Sequence, residues 1–186
     1  DEYKCWPSGA ESNGPGGCHV TCLLGDINGD GAWSVVDIVG LVNCILGESC
    51  ADDTVTDCAA DFNGDDNHNV ADIVLIATCI LNDNCDQGYN PGVAAGRVDD
   101  ASEARLIMQG SMVSIEADGF IGGVQMTLRH GDDFSIELTE RAFLVDYLTT
   151  GNQTRLLVIR PATDDLFSYS GNFEITEIIV ANSHAE

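Results

Sequence analysis

A chain of 186 residues with 7 basic and 31 acidic side chains carries a formal charge of −24, a balance that argues against nucleic acid or an anionic membrane as a partner. At 44% apolar residues the composition is globular, and the length suits one or two domains. No apolar run approaches the ~20 residues that a membrane-spanning helix requires, and no signal peptide is recognisable, so Asp1 is read as the start of a processed, secreted chain.

Residues 1–21 hold prolines and glycines around Cys5 and Cys18 and read as a stapled, irregular segment, with Trp6 as a local plug. All eight cysteines (Cys5, Cys18, Cys22, Cys44, Cys50, Cys58, Cys79 and Cys85) precede residue 86. An even number confined to a small region indicates disulfides formed in an oxidising compartment. Zinc is the rival, but no CxxC pair exists. Symmetric pairings are expected, such as Cys50–Cys58 with Cys22–Cys85, or Cys44–Cys58 with Cys22–Cys79.

Residues 22–85 contain one pattern written twice, thirty-five positions apart. Oxygen-bearing residues alternate along a twelve-residue loop as Asp26, Asn28, Asp30, Ser34 and Asp37, and again as Asp61, Asn63, Asp65, Asn69 and Asp72. Calcium, a hard cation, takes about 6–8 oxygens, and loop positions 1, 3, 5, 7, 9 and 12 can supply them. Position 7 offers only its backbone carbonyl, so Ala32 and Asn67 serve there. Position 6 favours a residue tolerant of positive φ. Gly31 provides it in the first loop, whereas Asp66 makes the second the weaker site. Two calcium ions are predicted. An amphipathic helix follows each loop, with Ile38, Leu41, Val42 and Ile45 on one stripe and Ile73, Ile76, Ala77 and Ile80 on the other. The two helices are expected to pack on each other with pseudo-twofold symmetry. Trp33 and His68 share loop position 8, where a contact between the loops is expected.

These loop–helix repeats resemble a type I dockerin domain, the calcium-dependent plug of cellulosome-type assemblies. The resemblance implies that residues late in the loop and along the helix meet a cohesin. Carried over, the partner-binding positions are Val35, Val36, Val42 and Asn43 in the first repeat, and Val70, Ala71, Ala77 and Thr78 in the second.

Residues 86–104 have turn-forming composition and no periodicity, and read as a linker. From Arg105 the hydrophobic period becomes two, with Val113 and Ile115, then Val124, Met126 and Leu128, then Phe134, Ile136 and Leu138. Further runs cover 143–148, 155–159 and 173–180. Gly119, Gly122–Gly123, Gly131, Gly151 and Gly171 punctuate them as turns, which predicts an all-β antiparallel sandwich over 105–186. The stretch SIEADGFIGGVQMTLRHGDDFSIEL and the later FSYSGNFEITEIIVANS resemble the opening and closing strands of a cohesin-like, jelly-roll-like domain. Asn152-Gln153-Thr154 is a glycosylation sequon.

The fold expected is therefore a small α dockerin-like module followed by a β-sandwich. No acid, base and nucleophile come together in the sequence, so no catalysis is expected. The function read from it is a secreted, non-catalytic calcium-binding assembly protein, a fibre or scaffold protomer. Its partner is another copy of itself or a cohesin- or dockerin-bearing protein. Anchoring and carbohydrate-binding modules of a larger extracellular enzyme are the alternative.

Overall fold

A computed structural model describes residues 22–82, Cys85 and residues 99–184, together with the backbone of two short strands, β1 (Tyr3–Cys5) and β2 (Cys18–Val20). Those strands pair antiparallel with Cys5 opposite Cys18. Trp6 and the side chains of Cys5 and Cys18 lie outside the described residues.

Each loop feeds a helix as expected: α1 spans Val35–Leu46 and α3 spans Val70–Leu81. Their starts are set by the loops themselves. Ser34 caps α1 by accepting from the Val36 amide, Asn69 caps α3 by accepting from the Ala71 amide, and Asp37 and Asp72 complete a capping box in each. Such boxes satisfy amides that the first helical turn leaves unpaired. A further helix, α2 (Thr54–Ala60), precedes the second loop, with Asp53 as its N-cap. It is too short to carry a hydrophobic stripe, so periodicity does not reveal it.

Among the described residues the cysteines pair as Cys22–Cys58, Cys44–Cys50 and Cys79–Cys85. This corrects the expected pairings Cys50–Cys58, Cys22–Cys85, Cys44–Cys58 and Cys22–Cys79. The symmetry is obeyed: Cys44–Cys50 and Cys79–Cys85 close within each repeat, and Cys22–Cys58 joins near-equivalent positions across the pair. Each helix turns back at its C-terminus and brings the next cysteine to a Cα separation of 4.8 Å, which a disulfide spans without distortion.

The remainder is an antiparallel sandwich of eight strands: β3 (Ala104–Gln109), β4 (Met112–Ala117), β5 (Gly123–His130), β6 (Ser135–Leu138), β7 (Ala142–Thr150), β8 (Gln153–Pro161), β9 (Asp165–Ser170) and β10 (Phe173–Ala181). They form two sheets, ordered β10-β5-β8-β7 and β3-β4-β9-β6. Val113, Ile115, Val124, Met126, Leu128, Leu156, Val158, Leu166 and Phe167 fill the space between them. The linker is shorter than 86–104. Residues from Asp99 onward already belong to the sandwich, since Asp99 accepts from the Phe120 amide, Ala101 donates to Phe120, and Asp118 accepts from Ser102 and Glu103.

The helical module does not stand apart. Leu157, Ile159 and Ala181, on the outer face of the β10-β5-β8-β7 sheet, share one apolar core with Ile38, Leu41, Val42 and nearly all of α3. That sheet is therefore covered on both faces, by its partner sheet inside and by the module outside.

Candidate metal centre

The loop carboxylates are drawn inward by the loop's own amides. Asp26 accepts from Asp30 and Gly31 through its two oxygens at 3.1 and 2.9 Å, and Asp61 accepts from Asp65 and Asp66 at 3.0 and 3.1 Å. Asn28 Nδ2 donates to Asp30 at 3.0 Å, and Asn63 Nδ2 donates to Asp65 at the same distance. Asp37 takes the Ile27, Asn28 and Ser34 amides, and Asp72 takes those of Phe62, Asn63 and Asn69. The two loops are thus superposable in hydrogen bonding as well as in sequence. At position 6 both Gly31 (φ 82°) and Asp66 (φ 63°) adopt the left-handed backbone, which costs the aspartate more than the glycine.

Among the described residues no three Asp, Glu, His or Cys side chains converge tightly enough to grip a metal by themselves. The donor set divides its oxygens among carboxylate, amide, hydroxyl and carbonyl groups, which is calcium chemistry and not that of a transition metal. Charge makes the case for a cation. Asp37 and Asp72 are fully buried, and no lysine or arginine occurs between Lys4 and Arg97. A buried carboxylate is costly unless paired or metal-bound. Without a cation, desolvation pushes the Asp72 carboxyl up from 3.8 to about 6, with the charges of Asp65 and Asp61 adding to the shift and the Asn69 and Asn63 amides opposing it. A bound divalent ion reverses that balance. The residues fit calcium. Asp26, Asn28, Asp30, Ser34, Asp37 and the Ala32 carbonyl would hold one ion, and Asp61, Asn63, Asp65, Asn69, Asp72 and the Asn67 carbonyl another.

Trp33 and His68 do not touch each other. Trp33 Nε1 donates to the Leu24 carbonyl at 2.8 Å, and His68 Nε2 lies 3.0 Å from the Asp57 carbonyl. Each ties its loop to the segment that precedes it.

The positions read as partner-binding divide sharply. In the first repeat Val35 and Val36 are 57% and 55% exposed and Asn43 is exposed, while Val42 is buried in the module core. In the second, Val70, Ala71 and Ala77 are buried and Thr78 is half-buried. Val70 and Val74 lie over the tandem glycines of the sheet. A Cβ on Gly122 would stand 2.7 Å from Val74 Cγ1, and one on Gly123 would overlap the Val70 side chain. These glycines are therefore not turn punctuation, as the sequence suggested. They admit a helix against the sheet. The Val70 amide, left unpaired by the helix, donates to Gln125 Oε1 at 3.0 Å. Arg155 reaches across from β8, donating to the Ile45 carbonyl at 3.3 Å and pairing with Glu48. It supplies a cation near the C-terminus of α1, where the helix has no basic residue of its own and favours one. Sequence reasoning missed Gly122, Gly123, Gln125 and Arg155. The available signal was the unbroken apolar run Leu156 to Ile159, which alternation cannot explain and burial on two faces can.

Asn152 sits in the β7–β8 turn, with its Nδ2 donating to the His130 carbonyl at 3.0 Å. Thr154 of the same sequon is fully buried and bonded to His130 and Thr149.

The profile of the dockerin type I domain matches residues 24–81. Domains of that family bind calcium and cohesin-bearing proteins, and proteins that carry them are typically extracellular or cell-surface. No curated protein and no solved structure matches the chain.

Proposed function

We propose that this chain is a secreted, non-catalytic assembly protein that binds two calcium ions and joins copies of itself, the helical module of one engaging the cohesin-like sandwich of the next. One observation carries the reading: the α3 face of the module is seated on the outer face of a sheet of the same chain, over glycines that leave room for it. A chain that holds both halves of a complementary interface can close on itself or exchange halves with a neighbour, and an exchange that does not close builds filaments. A short linker holds the two halves at an effective concentration in the millimolar range, so the closed form dominates in dilute solution and exchange requires crowding. The three disulfides among the described residues suit the oxidising exterior.

Sedimentation and electron microscopy of the full chain with calcium, across a concentration series, test the proposal. Filaments or larger species growing with concentration are expected. A monomer at every concentration, with no fibres, overturns it. The anchoring and carbohydrate-binding reading draws on Phe143 and Tyr147, both 44% exposed on β7. Polysaccharide pull-down with a Phe143→Ala, Tyr147→Ala variant separates it from self-assembly.

A further inference from the structure

We infer that calcium in the second loop, and not in the first, latches the helical module onto the sandwich, and that docking in turn tightens calcium at the second loop alone. The inference rests on calcium occupying both loops. Its basis is that two nearly identical loops end at different neighbours.

In the second loop the last ligand positions, Asn69 and Asp72, are also the N-cap and capping-box residues of α3. The very next residue, Val70, makes the contact with the sheet twice over, by its amide to Gln125 and by its side chain above Gly123. Asn67, His68 and Asn69 also line a cleft of about 440 Å³, shared with Gln125 and Arg155 of the sandwich and with Glu48, which follows α1. The geometry of this loop therefore sets the position of the first turn of α3, and that turn is the part the sandwich grips. When the ion leaves, Asp61, Asp65 and Asp72 repel one another, the capping box loosens, and the Val70 amide loses its alignment with Gln125.

In the first loop the equivalent residues are Ser34, Asp37 and Val35. The capping box is the same, but Val35, Val36 and Val39 face solvent. α1 shares the apolar core with Leu157 and Ile159 through Ile38, Leu41 and Val42, but the polar contacts to the sandwich lie at its other end, through the Ile45 carbonyl and Glu48, which Arg155 reaches. A change in the first loop has a full helix between it and those polar contacts. Coupling between sites is reciprocal as a matter of thermodynamics, so the asymmetry can be read from either side.

Two measurements on the full chain test it. Calorimetric calcium titration of Gly123→Val, which pushes α3 off the sheet without touching a ligand, is expected to weaken one site by about tenfold or more and leave the other unchanged. The same titration in Asp30→Ala and Asp65→Ala backgrounds assigns the weakened site to the second loop. Small-angle scattering with calcium gives the converse: Asp65→Ala expands the particle as the module swings free, and Asp30→Ala stays as compact as the wild type. If Gly123→Val fails to fold, Gln125→Ala replaces it in the titration, and the scattering pair stands by itself. Equal weakening of both sites, no weakening of either, or equal expansion of the two ligand variants overturns the coupling while two-ion binding stands. A wild-type chain that takes up no calcium overturns the calcium reading, and the coupling with it.

Discussion

The two repeats, Asp26–Leu46 and Asp61–Leu81, share their oxygen-bearing loop positions, their capping boxes and the disulfide that closes each helix, yet the first turn of one helix faces water and that of the other faces a β-sheet. Val35, Val36 and Val39 are exposed, whereas Val70, Ala71 and Val74, their equivalents thirty-five positions on, are buried. The local sequence is nearly the same, so local structure is the same. What differs is the environment, and it is set by residues far away in the chain, at Gly122, Gly123, Gln125 and Arg155. Duplication supplies two equal surfaces; a single sandwich can cover only one of them. The α3 run Ile73-Val74-Leu75-Ile76-Ala77 is apolar on all sides, as befits a helix buried all round, and α1 is interrupted at Val39-Gly40 by exposed or half-exposed positions.

The largest effect that would test this contrast is removal of the calcium proposed for both repeats. Each ion present at a hundredfold excess over its dissociation constant adds about 2.7 kcal/mol to stability. Chelation is therefore expected to lower the melting temperature markedly, and a melting curve indifferent to chelator refutes calcium binding. Next comes the pair Val70→Asp and Val35→Asp. Placing an unpaired carboxylate at the buried position should cost about 3–5 kcal/mol. The same change at the exposed position should stay within about 0.5 kcal/mol, as read by denaturant unfolding. Equal costs at the two positions would mean that the repeats are not in different environments.

A smaller effect is the pH dependence of the second loop. With its carboxyl raised to about 6, Asp72 lends the calcium-free fold stability that is fully present below about pH 4 and is lost as pH rises through 6. Calcium needs the ionised form. Affinity at the second loop should therefore fall about tenfold for each pH unit below 6, and titrations at pH 7 and pH 5 would show it. An unchanged affinity contradicts the burial of Asp72. The smallest change is Arg155→Ala. Because Glu48 is 70% exposed, solvent screens that ion pair, and the cost should be about 1 kcal/mol, detectable as a modest drop in melting temperature of the whole chain.

The calcium loops, the two long helices and the alternating strands were legible in the sequence because each is written in short-range periodicity. Asp26 to Asp37 sets out its oxygen-bearing side chains by spacing alone, and Val124, Met126 and Leu128 declare a strand with one face inward. The disulfides were half legible: the equivalence of Cys44 with Cys79 and of Cys50 with Cys85 follows from the repeat, but the choice of Cys44–Cys50 over a pairing across the repeats depends on how each helix ends in space. Which of two equivalent helix starts is seated on the sandwich could not be read from either helix. It depends on a sheet face whose glycines, at 122 and 123, look like a turn until Val70 and Val74 are seen above them. Local patterns fix local structure because they act between near neighbours. The choice between equivalent surfaces is made by shape and solvent exclusion between segments remote in sequence, and only the tertiary structure expresses that.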